Sequence, residues 1–284
     1  MKIAISAEST IDLPKDMLEE FDIRIVPFTL VMGEKTALDG EVHAQDLFDY
    51  VDRTGKLPKT SAVNEFQFEE HFRKLFDEGY DAIIHFSLSS NISSACQNAM
   101  LASKKFQNVY VIDTLALSTG IAQQAIFGRK LAEKGYDPAT IVKKVRERIP
   151  HQQTSFVIET VDYLYKGGRC SALAAFGANL LHLKPKIIMK DGKMTSTKKY
   201  RGNMLKVTEN YVKDTLQEAN SPDKSLVFIT FSSAPDDVIE AVRKQLKDAG
   251  FERIEPTHAG ATITCHCGPH TLGILYFNDG NQTY

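Results

Sequence analysis

The sequence has few cysteines and no hydrophobic run long enough to cross a membrane. Four cysteines in 284 residues, at positions 96, 170, 265 and 267, favour a reducing compartment with free thiols over a disulfide framework. The first residues enter a strand pattern with no signal-peptide core. The most apolar stretch, residues 172–181, is roughly half the length of a bilayer span. We therefore expect a cytoplasmic protein with no stable membrane insertion.

An excess of charge of one sign is also missing. The formal net charge is −2, which gives no overall attraction to nucleic acid or to an anionic membrane. The glycine patterns of P-loop and dinucleotide-binding proteins do not occur, which argues against a bound nucleotide. We expect neither a nucleic acid partner nor a cofactor.

Strand and helix patterns alternate along the chain, which is typical of an α/β fold. A chain of 284 residues is long enough for two domains in contact. We predict an N-terminal domain, residues 1–152, with a mainly parallel sheet flanked by helices. We predict a C-terminal α/β domain, residues 153–284, with a mixed sheet.

Several local predictions follow from turn and cap residues. Asp12 is suited to cap a helix, and residues 23–32 have the composition of one strand. Asp191 and Gly192 fit the turn of a β-hairpin. The helix that begins after Pro235 is expected to be the last of the chain.

Residues 59–76 combine a helix signal with hydroxyl groups. Asn64 is suited to cap this helix, because Gln67 stands three residues later at the spacing of a capping box. The apolar positions of the helix fall mostly on one face: Phe66, Phe72, Leu75 and Phe76. Because Asn64 serves as the cap, Thr60 and Ser61 in the preceding loop are free to contact a ligand.

A second group of hydroxyls follows a buried strand and leads directly into a helix, at residues 89–95. Parallel sheets bind ligands outside the carboxyl ends of their strands. A helix start offers unpaired N–H donors that suit an anion. Ser93 and the backbone N–H groups after it are therefore candidates for a small anion site. Capping of the helix by Ser89, Ser90 and Ser93 alone is an open alternative.

Paired glycines divide the next informative segment. Gly167 and Gly168 can end one helix and let another begin at once, which would place Arg169 beside the start of the second helix. The second helix contains residues 172–181 and is apolar on nearly every side. This apolar pattern predicts either an ordinary core helix or the wall of an apolar cavity between the two domains.

Two cysteines flank His266, as they would in a metal site. We expect this segment to be a strand, in which Cys265 and Cys267 face the core and His266 faces the mouth of a cavity. A zinc site that recruits His270 is the alternative. A closed structural site requires four ligands at suitable spacing, and no CxxC pair is present, so we predict no metal.

Taken in order, these motifs resemble the DegV family, whose members act as the acyl-carrying subunit of bacterial fatty acid kinase. The resemblance runs from the first strand to the last. Its anchors are "AEST" at 7–10, "TS" at 60–61, "SSNISSACQNA" at 89–99, "VID" at 111–113, "YLYKGGRCS" at 163–171, "KPKIIMKDGK" at 184–193 and "HCGP" at 266–269. The resemblance implies a lipid-binding carrier, not an enzyme, that buries one long-chain fatty acid such as palmitate or oleate between its domains. Its implied partner is a separate fatty acid kinase.

The resemblance also implies roles for individual residues. Thr60 and Ser93 would hydrogen-bond the fatty acid carboxylate, with the Ser94 N–H as a further donor and Ser61 as a weaker neighbour. The sequence departs from the family pattern nearby, since Ser94 and Ala95 stand where the family usually has Gly-Thr.

The same resemblance brings two further side chains to the head group. Arg169 and His266 would lie close to the carboxylate, either as supporting residues or as residues of the phosphoryl step.

Basic residues are concentrated around the predicted hairpin. Lys198, Lys199 and Arg201 lie at its end. They are predicted as a docking surface for the kinase or for its ATP phosphates. A solvated hairpin face is the alternative.

One enzymatic alternative stays open at this point. A small-molecule hydrolase or transferase could use a serine nucleophile with His266 as its base. The Gly-x-Ser-x-Gly elbow of common α/β-hydrolases is absent from the sequence, which argues against that version of the alternative.

Overall fold

The computed structural model describes residues 1–169 and 183–280. The apolar segment 172–181, predicted as a core helix or a cavity wall, and Cys170 lie outside the described residues. No helix within the described ranges is long and apolar enough to cross a membrane.

The described residues form three sheets and the helices that connect and cover them. The strands are β1 (Ile3–Glu8), β2 (Ile23–Val26), β3 (Thr29–Met32), β4 (Lys35–Leu38), β5 (Lys59–Ser61), β6 (Ala82–Ser87), β7 (Val109–Asp113), β8 (Gln152–Val157), β9 (Lys184–Lys190), β10 (Lys193–Tyr200), β11 (Val227–Phe231), β12 (Ile254–His258) and β13 (Leu272–Phe277). The helices are α1 (Lys15–Glu20), α2 (Ala44–Thr54), α3 (Glu65–Asp77), α4 (Ala95–Ser103), α5 (Thr119–Glu133), α6 (Pro138–Arg148), α7 (Asp162–Lys166), α8 (Met204–Glu218), α9 (Asp236–Asp248) and α10 (Ala261–Cys267). This element order confirms the predicted α/β fold.

The first sheet is parallel, with strand order β2-β1-β6-β7. Every residue of β1 and β6 is buried, as expected for parallel strands that are covered on both faces. Helices α3 and α4 pack against each other and the sheet, and α5 and α6 form a second such pair. The carboxyl end of β6 leads into the loop that carries Ser93.

The second sheet is mixed, with strand order β10-β9-β8-β13-β11-β12. Only β11 and β12 pair in parallel; the other neighbours are antiparallel. All strands of the parallel sheet end by Asp113, and all strands of the mixed sheet begin at or after Gln152. On this basis we propose the domain division into residues 1–152 and 153–284.

A small antiparallel sheet, β4-β3-β5, brings the two ends of the chain together. Its core contains residues of both parts of the chain: Leu30, Met32, Val42, Leu47, Ala261 and Cys265. Helix α10 therefore lies against a sheet that belongs to the first third of the sequence. This contact positions His266 beside β5.

Two predictions near the N-terminus are wrong. Asp12 does not cap the start of α1, whose N-cap is Pro14; it ends a 3-10 turn with a left-handed φ of 55°, and its carboxylate accepts hydrogen bonds from the Gly260 N–H at 2.9 Å and from the Ser118 hydroxyl. Burial raises the pKa of Asp12 well above its usual value. Residues 23–32 form two strands in different sheets, because Pro27 between them has no N–H to continue a ladder.

The helix after Asn64 is confirmed, but its predicted face is partly wrong. Asn64 and Gln67 form the reciprocal capping box. Phe66 is 64% exposed, whereas Phe68 is fully buried. Phe72 and Leu75 are buried as predicted, so the predicted face is wrong only at its first position, where Phe68 is buried instead of Phe66.

The predictions for the C-terminal region are corrected in two places. Helix α9 is not the last one, because β12 and α10 follow it. The segment around His266 is a helix and not a strand, although its threonines and isoleucine favour a strand. The carboxylates of Asp12 and Asp39 accept the N–H groups of Gly260 and Ala261 at its start, so tertiary contacts outweigh local propensity.

Candidate functional site

A narrow cavity lies where the parallel sheet, the mixed sheet and α10 meet. Its volume is about 80 Å³, and we call this narrow cavity the slot. The wall is largely apolar, with contributions from Phe28, Leu88, Leu117, Phe156, Met194 and Leu275. A slot of this kind suits a thin apolar chain better than a bulky ring system.

At one end of the slot, β5 and α10 bring together two polar side chains. The Thr60 hydroxyl lies 3.0 Å from His266 Nε2. The other ring nitrogen of His266, Nδ1, is buried and has no hydrogen-bond partner within residues 1–169 and 183–280. Burial lowers the pKa of His266 to about 4, and the nearby charge of Arg169 lowers it further. The imidazole is therefore neutral at pH 7.

A glycine allows this histidine to approach α7 closely. A Cβ atom on Gly167 would lie 2.6 Å from His266 Nδ1 and 2.7 Å from the backbone oxygen of Tyr163. Any side chain at position 167 would therefore push His266 away from Thr60. The paired glycines do end α7 as predicted, since Gly167 is its C-cap.

Arg169 lies on the cavity wall next to this pair. Its guanidinium donates to the Gly167 carbonyl at 2.8 Å and to the Ile92 carbonyl at 3.2 Å, which ties it to the loop that carries Ser93. The side chain is partly buried, and burial lowers the pKa of Arg169. Within the described ranges no carboxylate forms an ion pair with it. A desolvated cation without a counter-ion favours the binding of an anion.

The serines predicted for the site are placed differently from one another. Ser93 lines the cavity, and its Oγ accepts a hydrogen bond from the Ala95 N–H at 3.1 Å. Ser93 therefore accepts an N–H group at the start of α4 and also lines the cavity. Ser94 precedes α4 without a side-chain cap bond, and Ser61 is exposed and pairs with Thr29 in the small sheet. Neither Ser61 nor Ser94 lines the cavity.

The hairpin of β9 and β10 has the predicted turn, and its tip contacts the Ser93 loop. The Gly192 carbonyl accepts from the Ser89 hydroxyl at 2.7 Å, and the Asp191 carbonyl accepts from the Asn91 amide at 3.0 Å. The mixed sheet thereby closes over the carboxyl ends of the parallel strands.

The predicted docking residues lie at the other end of the second hairpin strand. Lys198, Lys199 and Arg201 are exposed, and Lys198 pairs with Asp214 at 2.6 Å. None of the three lines the cavity. Their role in docking stays a prediction.

The sequence did not indicate a second depression, which lies on the outer side of the polar end of the slot. Three lysines line it, Lys56, Lys59 and Lys166, and we call it the lysine groove. It shares Thr60, Arg169 and His266 with the slot. The only sequence signal was the pair of lysines around Pro58, directly before the predicted Thr60 site.

A buried polar network in the parallel sheet was also missed. The Ser6 hydroxyl lies 3.0 Å from His85 Nδ1, and His85 Nε2 lies 3.2 Å from Glu8 Oε1. These three residues have no exposed surface, and none of them lines the slot. Glu8 also accepts from the Leu88 N–H at 3.0 Å, so the network anchors the end of β6.

The cysteines beside His266 do not have the environment of metal ligands. Cys265 and Cys267 are buried, and burial raises the pKa of each thiol to about 12. Neutral thiols are poor ligands, because a metal binds the thiolate. Among the described residues no group of three histidine, cysteine or acidic side chains could hold a metal ion.

Comparison with known proteins gives one consistent family. A family model described as "Uncharacterised protein, DegV family" matches residues 2–279. A fatty acid-binding protein of Thermotoga maritima is 30% identical over 281 residues, 96% of each chain. A DegV family protein of Thermus thermophilus, described as fatty acid binding, superposes with a TM-score of 0.90 at 26% identity over 98% of this chain and 99% of that chain.

A more distant structure has the same fold. The fatty acid kinase (Fak) B3 protein of Streptococcus pneumoniae, loaded with linoleic acid, superposes with a TM-score of 0.84 at 18% identity over 98% of this chain and 100% of that chain. The match of the family model over nearly the whole sequence, together with the relative at 30% identity, identifies the family. The chain belongs to the DegV family.

Proposed function

We propose that this protein binds one long-chain fatty acid in the slot and presents its carboxylate to a separate fatty acid kinase. The observation that carries the proposal is Arg169, a partly buried cation at the polar end of an apolar slot that forms no ion pair with a carboxylate among the described residues. The fatty acid-binding relatives from Thermotoga maritima and Thermus thermophilus support the ligand class. The kinase-associated protein of Streptococcus pneumoniae, which shares the fold, suggests the partner.

In the proposed complex the hydrocarbon tail supplies most of the affinity. Burying a methylene is worth about 0.8 kcal/mol, so a palmitate or oleate chain with roughly 14 of them gains on the order of 11 kcal/mol before ordering and association costs. A narrow apolar wall favours such a chain. The head group then needs orientation more than additional binding energy.

The carboxylate would be held by the hydroxyls of Thr60 and Ser93, with the Ser94 N–H and Ser61 as further neighbours. Arg169 would balance its charge, and neutral His266 would support Thr60. A carboxylate held by these donors stays ionised. Its oxygen can then form a bond to the γ-phosphorus of ATP bound by the kinase, while the bond from that phosphorus to the ADP oxygen breaks and ADP leaves.

The partner would dock in the cytoplasm on the exposed residues Lys198, Lys199 and Arg201. In this proposal the protein performs no chemistry alone. A serine hydrolase is less well supported, because the side chain of His266 bonds Thr60, and Ser93 Oγ accepts from the Ala95 N–H.

Head-group recognition can be tested with matched ligands. Wild-type protein should bind palmitate more tightly than hexadecanol, which has the same tail and no charge. Arg169→Gln should remove most of this difference, whereas Arg169→Lys should retain part of it. Equal affinity of the wild type for the acid and the alcohol would contradict the proposal.

The carrier and enzyme alternatives can be separated with Ser93→Ala. A carrier should retain the tail and lose efficient phosphorylation by purified fatty acid kinase and ATP, with Ser90→Ala as a control, since Ser90 is exposed and bonds Asp113. Hydrolysis of acyl esters by the purified protein, abolished by Ser93→Ala, would establish the enzyme alternative instead.

A further inference from the structure

The lysine groove concentrates positive charge, and none of the described residues that line it is acidic. Lys56, Lys59, Lys166 and Arg169 line it together with neutral residues. None of these four cations forms an ion pair within the described part of the chain. Several lysines elsewhere do form ion pairs, for example Lys105 with Glu65 and Glu69, Lys184 with Glu159 and Lys186 with Glu218. The groove is therefore a local positive field in a protein whose net charge is −2.

Acidic residues are available on the same elements but do not reach into the groove. Asp52 lies on α2 and Asp162 on α7, the helices that border it, and neither lines it. Like charges that converge without neutralisation repel one another and attract an anion from solution. This arrangement favours an anionic ligand and not an internal salt bridge.

The groove continues directly from the proposed head-group site. Thr60, Arg169 and His266 line both the groove and the slot. A fatty acid whose carboxylate lies at these residues has its tail in the slot. Any group attached to the outer side of the carboxylate enters the groove. Lys59 precedes Thr60 directly in β5, so a cation lies one residue from the proposed carboxylate ligand.

The amount of charge exceeds what a carboxylate requires. A single negative charge is balanced by Arg169 and oriented by hydroxyls. Three additional lysines suit a group with more charge and more acceptor oxygens. A phosphoryl group carries about −1.5 to −2 charges at pH 7 and three acceptor oxygens, and lysine is a common point-charge ligand for phosphate.

We propose that the lysine groove binds the phosphoryl group that adjoins the fatty acid carboxylate. This inference rests on the proposed function. The phosphoryl group could come from an acyl phosphate that stays bound, or from the nucleotide phosphates that a kinase brings to the mouth. Both sources share the chemistry of a phosphate beside a carboxylate position.

The first experiment compares palmitate with hexadecyl phosphate, a stable ligand whose tail fits the slot and whose head is a phosphate. Both displace a fluorescent fatty acid from wild-type protein, from Lys59→Gln/Lys166→Gln, and from the control Lys247→Gln, which alters an exposed lysine of α9. We expect the double variant to bind hexadecyl phosphate about tenfold more weakly, with palmitate affinity changed less than twofold. The control should match the wild type.

Salt dependence provides an independent readout. If lysines contact the phosphate, hexadecyl phosphate affinity should fall more steeply with salt than palmitate affinity, and the double variant should reduce that slope. A fold that is merely damaged would weaken both ligands and leave the difference in slope unchanged.

A kinase assay distinguishes the two sources. If the groove serves the nucleotide phosphates, hexadecyl phosphate affinity is unaffected in the double variant, but kcat/KM for phosphorylation of the bound acid falls about tenfold relative to Lys247→Gln. Either pattern supports a phosphoryl site.

Two results overturn the inference. One is that the double variant changes neither hexadecyl phosphate affinity nor kcat/KM for phosphorylation; the other is that it weakens palmitate and hexadecyl phosphate binding equally. Failure of the wild type to bind palmitate would instead refute the proposed function, so the two failures are distinguishable.

Discussion

The Thr60 hydroxyl and His266 Nε2 are 3.0 Å apart although 206 residues separate them in the sequence. Thr60 lies on an edge strand of the small sheet, and His266 lies on α10, which packs against the same sheet. This hydrogen bond therefore joins the two ends of the chain at the polar end of the slot. The proposed head-group site exists only when both parts of the chain are folded together.

Removal of the Thr60 hydroxyl should weaken fatty acid binding. In Thr60→Val a ligand carboxylate and His266 each lose a hydrogen-bond partner, which costs about 1.5–3 kcal/mol for a bond to a charged group. Palmitate affinity should fall about 10- to 100-fold. Thr60→Ser keeps the hydroxyl and should stay within a fewfold of the wild type in the same displacement assay. Equal losses in both variants would point to packing of the methyl group instead.

Stability should fall with acidification because His266 resists protonation in the folded protein. Its folded pKa is about 4 because of burial, followed by the charge of Arg169, against 6.5 for an ordinary histidine. Between these values the unfolded chain binds a proton that the folded chain does not, so the free energy of unfolding decreases as pH falls from about 6.5 towards 4. The loss is at most about 3 kcal/mol from this residue, and less to the extent that water reaches the ring.

Urea unfolding at pH 7.0 and pH 4.5 tests this linkage. His266→Asn should lose less stability over this interval than the wild type. His71 also makes the free energy of unfolding decrease as the pH falls, because burial lowers its pKa to about 3. An identical pH dependence in wild type and His266→Asn would exclude His266 as the source.

Much of the fold could be predicted from the sequence because its signals are local. The capping box at Asn64 and Gln67, the end of α7 at Gly167 and the turn at Asp191 depend on a few neighbouring residues. Such features are decided by backbone geometry and short-range hydrogen bonds. They were found where the pattern indicated them.

The errors occur where distant residues decide the outcome. Helix α10 has threonines and an isoleucine that favour a strand, but Asp12 and Asp39 accept the N–H groups at its start. The same long-range contact engages the Asp12 carboxylate, which therefore does not cap the start of α1. The lysine groove could not be predicted from the sequence for a related reason, since Lys59 and Lys166 come together through the packing of α7 and α10 beside β5.

The hairpin tip should be sensitive to a single methyl group. Gly192 has φ of +74°, and a Cβ there would lie 2.6 Å from Ser89 Oγ and 2.8 Å from Asn91 Nδ2. Gly192→Ala should lower the free energy of unfolding by the left-handed cost of about 1–2 kcal/mol plus a steric cost of about 1–3 kcal/mol. It should also speed the release of bound fatty acid, because Met194 beside the tip lines the slot.

Gly55→Ala is the matched control for the tip. Gly55 has a similar φ of +67° but no atom within 4 Å of an added Cβ, so only the left-handed cost applies. Urea unfolding and stopped-flow displacement of a fluorescent fatty acid measure both effects. If the two variants lose the same stability and release lipid at the same rate, the added methyl group at position 192 does not clash with Ser89 and Asn91.

Thr262→Val should stabilise the protein, although most substitutions of buried residues do the opposite. Thr262 is 3% exposed, and its Oγ1 has no hydrogen-bond partner in the described part of the chain. An unsatisfied buried hydroxyl costs about 1–3 kcal/mol, and valine has the same branched shape in a helix. We expect the free energy of unfolding of lipid-free protein to rise by about 1 kcal/mol.

Thr264, on the same helix, separates this effect from a general preference for valine. It is fully buried, but its Oγ1 donates to the Ala259 carbonyl at 3.2 Å. Thr264→Val removes a made bond and should destabilise by about 1 kcal/mol. Both measurements require delipidated protein, because a bound ligand raises apparent stability by mass action. A loss of stability in Thr262→Val equal to that in Thr264→Val would mean that the Thr262 hydroxyl has a partner, such as an ordered water, in solution.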